Sequence, residues 1–357
     1  MDKVNLNNYV CIKPFTNLEV HQNSHFLCCG SWLLKHLPKH TSSKNAWESI
    51  EADKIRNTML DGSYKYCDKT ECPYLKQLIN HGEIGNTAPF YHKNNLPKDI
   101  DDTINLFLTK KTFKPSMIHF SFDHTCNLKC PSCRVDLIIE NSSGIERVKK
   151  TIQEIEIEFG TTTKTLLITG SGDPFISVGF RDFLKTFDKS KWPILNKIHL
   201  HTNATKWNKK MWDSMSNVHK YIKSCEISID AATKDTYETK VRLGGKWDEL
   251  IENLKFINTI PSLKNIKTSF VVQKKNYKEM KMFYDLMLSI FGKKVSVYFG
   301  RINNWGTFSN EQYLDEKVWD TTHPNYMEFV NEVKSFLPSE QVWHNLHEFI
   351  SDKKTLI

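Results

Sequence analysis

The segment MIHFSFDHTCNLKCPSCR, residues 117–134, contains the pattern from which the fold is inferred. Its first part, Met117–Phe122, is a short apolar run that predicts a β-strand. Three cysteines follow with C-x3-C-x2-C spacing, at Cys126, Cys130 and Cys133. Because these thiols lie within eight residues, they can converge on one centre while the backbone wraps around it. The segment therefore predicts a metal centre at the end of a strand.

After this loop, short apolar runs alternate with amphipathic stretches, which predicts strands and helices in turn. The predicted strands are Met117–Phe122, Thr165–Thr169, Lys197–Thr202, Cys225–Ile229, Lys267–Gln273 and Val295–Phe299. The predicted helices are Ile145–Phe159, Phe180–Phe187, Trp247–Ile257 and Tyr277–Phe291. Alternation at this spacing implies parallel βαβ units with right-handed crossovers, and about six units are too few for a complete eight-fold barrel.

The fold class is therefore α/β, as a partial (β/α)6 TIM-like barrel with a small N-terminal cysteine-rich metal-binding domain. We expect the N-terminal domain over residues 1–80, a linker over 81–114, the barrel over 115–300 and a C-terminal extension over 301–357. The linker assignment follows from the polar sequence HKNNLPKDIDD within it.

Composition narrows the class of protein further. The chain has 357 residues, nine cysteines and a net charge of +8. No stretch approaches the ~20 consecutive apolar residues of a membrane span, and the polar first ten residues lack the core of a signal peptide. We therefore expect a cytoplasmic protein without a membrane partner, whose cysteines bind metal or stay free. Its lysines form no basic tract, so a nucleic-acid partner is not expected.

The three-cysteine loop fits an iron–sulfur cluster. A cubane needs four ligands, so three cysteines leave one iron open to bind an amine and a carboxylate. The alternative is structural zinc, which favours four protein ligands and would need His124 as the fourth.

The loop resembles the cluster motif of the radical S-adenosylmethionine (SAM) superfamily, and the likeness extends over Ser116–Gly300. The residue before the last cysteine is usually aromatic in that family, whereas it is Ser132 here. The resemblance implies a 4Fe-4S cluster on the three cysteines, with SAM at its open iron.

Further motifs match the family's SAM-binding elements. Ser171, Gly172, Asp173 and Pro174 align with its Gly-Gly-Glu-Pro segment, which binds the SAM amino group. The Asp173 carboxylate offers the acceptors that an ammonium needs.

Two later segments extend this likeness. Thr202 and Asn203 match the family's Thr-Asn-Gly element, with Ala204 in place of glycine. Ser228 and Arg242 occupy positions that hold the SAM carboxylate, and a guanidinium suits a carboxylate because it donates two parallel hydrogen bonds.

Side-chain alternation sorts the fourth strand into two faces. If Ser228 points into the barrel, Glu226 and Asp230 do so as well, and Cys225 becomes a buried core thiol. By the same parity His199 and His201 share a face with Asn203. The catalytic residues are otherwise unknown, and the candidates that face the substrate are His199, His201 and Tyr298.

The first 80 residues contain the other cysteines. Apolar residues alternate around the turn HQNS, residues 21–24, which predicts a β-hairpin followed by a helix and a C-x4-C pair. A metal centre would stabilise a short sheet with little core.

This region resembles the auxiliary-cluster (SPASM or twitch) domains of radical SAM enzymes, although it precedes the barrel instead of following it. The resemblance implies a second 4Fe-4S cluster held by four thiolates. Zinc on the same ligands is the alternative. The predicted ligands are Cys11, Cys67, Cys72 and one of Cys28 or Cys29, with Cys28 preferred.

The resemblance implies reductive cleavage of SAM to a 5'-deoxyadenosyl radical, which abstracts hydrogen from a peptide, a protein side chain or a small sugar-like molecule. It also implies an external electron donor of the flavodoxin or ferredoxin type. Two alternatives remain: a radical SAM methyl- or sulfur-transferase acting on RNA or a nucleotide, and a non-catalytic zinc-binding interaction protein.

Overall fold

The computed structural model describes residues 4–34, 37, 39–82 and 88–335. The strands are β1 (Tyr9–Cys11), β2 (Asn17–His21), β3 (His25–Phe26), β4 (Phe90–His92), β5 (Met117–Ser121), β6 (Thr165–Ile168), β7 (Lys197–Thr202), β8 (Ile222–Ser228), β9 (Asn265–Val272) and β10 (Val295–Arg301). The helices are α1 (Lys13–Thr16), α2 (Ser43–Glu48), α3 (Ile50–Leu60), α4 (Pro73–His81), α5 (Lys98–Leu108), α6 (Ser142–Phe159), α7 (Val178–Lys185), α8 (Lys209–Asp213), α9 (Trp247–Asn258), α10 (Met280–Phe291), α11 (Asn310–Glu316) and α12 (Tyr326–Lys334). Among the described residues, no helix is both long and apolar enough to cross a membrane.

The chain divides into two compact units. The first contains Met1–Asp123, Lys150–Leu167 and Asp188–Asn196, and the second contains His124–Lys149, Ile168–Phe187 and Lys197–Ile357.

In the first unit, the N-terminal region shares a sheet with the first predicted barrel strand. β2 pairs antiparallel with β3 across the predicted HQNS turn, and on its other side it pairs parallel with β5, in the register Asn17–Met117. β1 and β4 form a separate antiparallel pair. The hairpin prediction is therefore confirmed.

The first unit also has a core of its own around the buried Arg56. Its Nε and Nη2 donate to the carbonyls of Pro14 and Trp47, both at 2.9 Å, and its guanidinium lies 4.5 Å from the centre of the Trp47 ring and 4.9 Å from that of Phe113. Asp53 accepts from Nη1 at 3.1 Å, so the buried charge is paired. The N-terminal region therefore has more core than its sequence suggested.

The segment predicted as a linker, 81–114, contains β4, a short 3-10 turn at Lys93–Asn95 and α5. It lies within the first compact unit, whose boundaries differ from the predicted division at residues 80 and 115. Much of the predicted extension 301–357, from residue 336 onward, lies outside the described residues.

In the second unit, β7 to β10 lie side by side in chain order, and all three pairings are parallel. Side chains alternate between two faces: Val295, Val297 and Phe299 of β10 are buried, while Ser296 and Tyr298 are half-exposed. Helix α10 packs against β9 and β10. One face of this sheet is thus apolar and covered, and the other is polar and partly buried.

The observed elements confirm the predicted α/β class with its parallel sheet. Strands and helices alternate from β5 to β10, and β7 coincides with the predicted strand Lys197–Thr202. The predicted helix Tyr277–Phe291 begins as a 3-10 turn at Tyr277–Glu279 and continues as α10.

Candidate active site

The three-cysteine loop opens the second unit and is fixed by backbone hydrogen bonds. The Cys126 amide donates to the Ile138 carbonyl at 3.0 Å, and the Cys133 amide donates to the Cys130 carbonyl at 2.9 Å. The Lys129 amide donates to the Leu243 carbonyl at 2.9 Å. Cys126 and Cys130 are buried, whereas Cys133 is exposed.

Each of the three sulfur atoms accepts a hydrogen bond from a different side chain. Cys126 Sγ lies 3.5 Å from Asn203 Nδ2. Cys130 Sγ lies 3.5 Å from Arg242 Nη1. Cys133 Sγ lies 3.6 Å from Arg134 Nη2. Such donors stabilise a cysteine in its anionic, metal-binding form.

Burial acts in the opposite direction on two of these thiols. It raises the pKa of Cys126 and of Cys130 above the usual cysteine value. A metal that binds them must therefore displace their protons. The donor set, three sulfurs with two guanidinium groups and an amide, is chemically suited to an anionic iron–sulfur cluster.

Asp173 joins the loops that follow β5, β6 and β7. Its Oδ2 accepts from Thr202 Oγ1 at 2.7 Å and from the Asn203 amide at 2.8 Å, while Oδ1 accepts from the Phe175 amide at 2.9 Å. Its own amide donates to the Thr125 carbonyl at 2.8 Å. Although Asp173 is buried, three of the roughly four acceptor positions of its carboxylate are already used inside the protein.

Asn203 belongs to a polar network next to Cys126. Its Nδ2 also donates to Asn127 Oδ1 at 3.1 Å, and its Oδ1 accepts from Thr205 Oγ1 at 2.7 Å. Ala204 follows in the left-handed region with φ of 60°, and Asn253 Nδ2 donates to its carbonyl at 2.9 Å. The match to a Thr-Asn-Gly element thus reflects a backbone conformation that glycine favours.

Arg242 has a protein partner that the sequence did not reveal. Its Nη2 lies 2.8 Å from Asp230 Oδ2, and both side chains are largely buried. Within the described residues, Arg242 Nε and the hydroxyl of Tyr237 are buried without hydrogen-bond partners. Tyr237 lies in the π-helical turn Thr236–Val241, a type of turn found frequently at functional sites. A polar ligand would satisfy these two orphaned groups.

The polar face of β7 to β10 is lined with hydrogen-bonded side chains. His199 Nδ1 lies 2.8 Å from Ser224 Oγ, and His201 Nε2 lies 2.9 Å from Ser228 Oγ. Ser228 Oγ in turn lies 3.1 Å from Ser269 Oγ. Burial lowers the pKa of His199 to about 3, so its imidazole is neutral at physiological pH.

An ion pair continues this face onto the next strands. Lys267 Nζ lies 3.1 Å from Glu226 Oε2 and 4.2 Å from the centre of the Tyr298 ring. Burial raises the pKa of Glu226, but His201 and Lys267 outweigh it and hold the carboxyl below its usual range. The predicted candidates His199, His201 and Tyr298 therefore share one polar surface, while Cys225 is buried away from it as a core thiol.

Other predicted positions are placed as follows. The Ser171 carbonyl accepts from Arg134 Nη2 at 3.1 Å, and the amides of Ser171 and Gly172 donate to Thr169 Oγ1 at 3.2 and 3.1 Å. Sequence reasoning missed Arg134 as a cysteine contact, although it directly follows the third cysteine.

The N-terminal cysteines form a second group, within the first unit. Cys11, Cys28, Cys67 and Cys72 line one small apolar cavity, together with Trp32 and other core residues. Burial raises the pKa of Cys11 and of Cys67 to about 12.

The structure distinguishes the two adjacent cysteines of this region. Cys28 lines the cavity, whereas Cys29 is not among the lining residues and has its Sγ 3.1 Å from Ser31 Oγ. Cys72 immediately precedes α4, where backbone N–H groups favour an anion. Within the described residues, no three His, Cys, Asp or Glu side chains are gathered closely enough to hold a single metal ion.

Comparisons with known proteins yield distant structural similarities. No family model and no curated protein sequence matches the chain. SuiB of Streptococcus suis bound to S-adenosylmethionine is 16% identical over 71% of this chain and 56% of SuiB, with a TM-score of 0.44. AnSMEcpe with bound AdoMet is 14% identical over 65% of this chain and 64% of its own, with a TM-score of 0.48. TYW1 with a lysine-pyruvate adduct is 16% identical over 60% of this chain and 72% of its own, with a TM-score of 0.36.

The chain spans less than two thirds of the SuiB chains that it matches. Similarities this distant do not establish the function of this chain.

Proposed function

We propose that this chain is a radical SAM enzyme whose Cys126, Cys130 and Cys133 hold a 4Fe-4S cluster. The proposal rests above all on the three sulfurs of one loop, each of which accepts a hydrogen bond from a separate side chain. When bound there, the cluster supplies an electron to SAM, whose cleavage gives methionine and a 5'-deoxyadenosyl radical that takes hydrogen from the substrate.

The protein's own residues would position SAM. Arg242 offers a buried Nε without an acceptor among the described residues, which supports a role in binding the SAM carboxylate. Ser228 is proposed to assist it. Asp173 has one acceptor position left for the SAM ammonium, and it holds Thr202 and Asn203 in place through its other hydrogen bonds. The carbonyls of Ser171 and Gly172 are proposed as further contacts.

The polar face of β7 to β10 is proposed as the substrate surface. A sheet face that carries histidines, serines and an ion pair is suited to a hydrogen-bonding substrate, because an apolar one would bury the remaining donor and acceptor positions of these groups without partners. A peptide or a small polar molecule fits this chemistry. An external flavodoxin- or ferredoxin-type protein is proposed to supply the electron.

A second metal centre is proposed at Cys11, Cys28, Cys67 and Cys72. Four thiols that line one apolar cavity supply the number of ligands that a 4Fe-4S cluster or a structural zinc ion takes. A centre without an open ligand position suits structural support or electron transfer.

Anaerobic purification and reconstitution test the proposal directly. We expect about eight irons per chain if both centres are cubanes, and 5'-deoxyadenosine formation from SAM and dithionite. Replacing Cys126, Cys130 and Cys133 together by Ala should remove about half of the iron and all of this product. Cys225→Ala is the matched control, because this thiol is buried in the core. Stoichiometric zinc without iron would overturn the proposal.

A further inference from the structure

Arg134 occupies an unusual position directly after the third cysteine. It is buried, at 9% exposure, although an arginine in a loop is normally solvated. Its Nη1 donates to the His124 carbonyl at 2.9 Å, while its Nη2 donates to the Ser171 carbonyl at 3.1 Å and lies 3.6 Å from Cys133 Sγ. One guanidinium therefore bridges the loops after β5 and β6 and also contacts a sulfur.

Among the described residues, no carboxylate forms an ion pair with Arg134. In the described part of the chain its hydrogen-bond partners are two carbonyl oxygens and one sulfur. The other two sulfur donors differ in this respect: Asn203 is neutral, and Arg242 is paired with Asp230 at 2.8 Å. Arg134 is thus the uncompensated cation among the three donors.

We propose that Arg134 is a positioning residue that raises the reduction potential of the cluster held by Cys126, Cys130 and Cys133. This inference rests on the proposed function. One-electron reduction by an external reductant adds one negative charge to the cluster and its ligands. A buried cation that donates to a ligand sulfur stabilises that added charge more than it stabilises the oxidised form. Its two carbonyl contacts keep the guanidinium at this place.

Lys129 provides a matched control within the same loop. It lies between the first and second cysteines, but its side chain is half-exposed and its Nζ lies 3.4 Å from Asp136 Oδ1. Solvent and this carboxylate screen its charge. Lys129→Gln therefore removes the same formal charge as Arg134→Gln without removing a sulfur contact.

The test is an EPR-monitored redox titration of the reconstituted protein with dithionite and mediators, without SAM, alongside iron analysis. At the wild-type midpoint potential, Arg134→Gln should lower the ratio of reduced to oxidised cluster about tenfold, which corresponds to about 59 mV for one electron. The midpoint potential of Arg134→Lys should lie between those of Arg134→Gln and the wild type, because an ammonium keeps the charge but cannot make all three contacts. Lys129→Gln should titrate like the wild type.

Three outcomes overturn the inference. In the first, Arg134→Gln keeps its full iron content and the wild-type midpoint potential. In the second, the midpoint potential of Lys129→Gln shifts as much as that of Arg134→Gln. The third applies if Arg134→Gln binds no iron at Cys126, Cys130 and Cys133. Arg134→Lys is then titrated instead, and an unchanged midpoint potential in that variant rejects the proposal. Absence of a reducible cluster in the wild type is a different result: it rejects the proposed function, and the inference with it.

Discussion

The two cysteine groups differ in what surrounds their sulfur atoms. The sulfurs of Cys126, Cys130 and Cys133 each contact a polar or cationic side chain. The N-terminal thiols line an apolar cavity instead, and the hydrogen bonds that favour their thiolates come from backbone groups, as at Cys11 and Cys72. The first group is thus contacted by side chains that can be replaced one at a time, whereas the second lies in an apolar core.

If both groups bind metal as proposed, this difference predicts two kinds of centre. Hydrogen bonds and charges near the sulfurs set how readily a cluster accepts an electron, and an incomplete ligand set leaves room for another molecule. A complete set of four thiols in an apolar cavity supports the surrounding fold. We therefore expect substitutions at the first site to change chemistry and those at the second to change stability.

The largest effect should follow from removing an N-terminal ligand. Cys72→Ala should abolish metal binding at this centre and lower the free energy of unfolding by several kcal/mol, because binding energy here is also folding energy. Metal analysis and thermal unfolding measure both. Cys29→Ala is the control, since its sulfur contacts Ser31 and not the cavity. Equal losses in the two variants would contradict the assignment of Cys28 as the ligand.

Removing the Asp173 carboxylate should have the next largest effect on stability. Asp173→Asn turns one acceptor oxygen into a donor that faces other buried donors, so stability should fall by roughly 3 kcal/mol. Urea unfolding checks this value. Asp182→Asn, at an exposed ion pair with Lys149, should change stability by less than about 0.5 kcal/mol. Metal content at the N-terminal centre should be unaltered in both variants.

Arg242→Ala should reduce SAM affinity more than it reduces iron content. We expect SAM affinity to weaken by ~1–3 kcal/mol, the scale of a lost charge-assisted hydrogen bond, while the iron remains. Lys240→Ala is the control, because that side chain is exposed and paired with Asp235. Calorimetry on the reconstituted protein distinguishes the two variants. Identical affinities in both would show that Arg242 serves its protein contacts, Asp230 and Cys130, and not SAM.

The smallest effect concerns Ala204, which lies in the left-handed region as Tyr64 of the N-terminal region also does. Ala204→Gly should stabilise by about 0.5 kcal/mol, because relief of the backbone strain slightly exceeds the added flexibility of the unfolded chain. Tyr64→Gly should instead destabilise strongly, since the Tyr64 ring is buried and its hydroxyl donates to the Tyr9 carbonyl at 2.8 Å. Thermal unfolding compares them, and a destabilised Ala204→Gly would refute the strain argument.

The sequence predicted the regular part of the molecule well. Strands with apolar residues at every second position, such as Lys197–Thr202, were placed correctly because that alternation reflects a single covered face. The same parity placed His199 and His201 on one face and Cys225 in the core. Local patterns of this kind record which side of an element is buried.

Contacts between distant segments were not predictable in the same way. Nothing local to Arg242 identifies Asp230 as its partner, and nothing in Asn17–His21 shows that this strand pairs with Met117–Ser121. The polar composition of 81–114 suggested a linker, yet α5 buries Ile100, Ile104 and Phe107 at helical spacing. The helical spacing of these apolar residues is hard to recognise in a segment so rich in polar side chains.

The parallel pairing of β2 with β5 has a consequence for the order of folding. About a hundred residues separate Asn17 from its neighbour Met117, so this strand pair forms only after a long loop has closed. During synthesis, the four N-terminal cavity cysteines leave the ribosome well before β5 does. If these cysteines bind metal as proposed, the nascent chain can acquire it before the sheet is complete, while the edge of β2 that pairs with β5 is still open to aggregation.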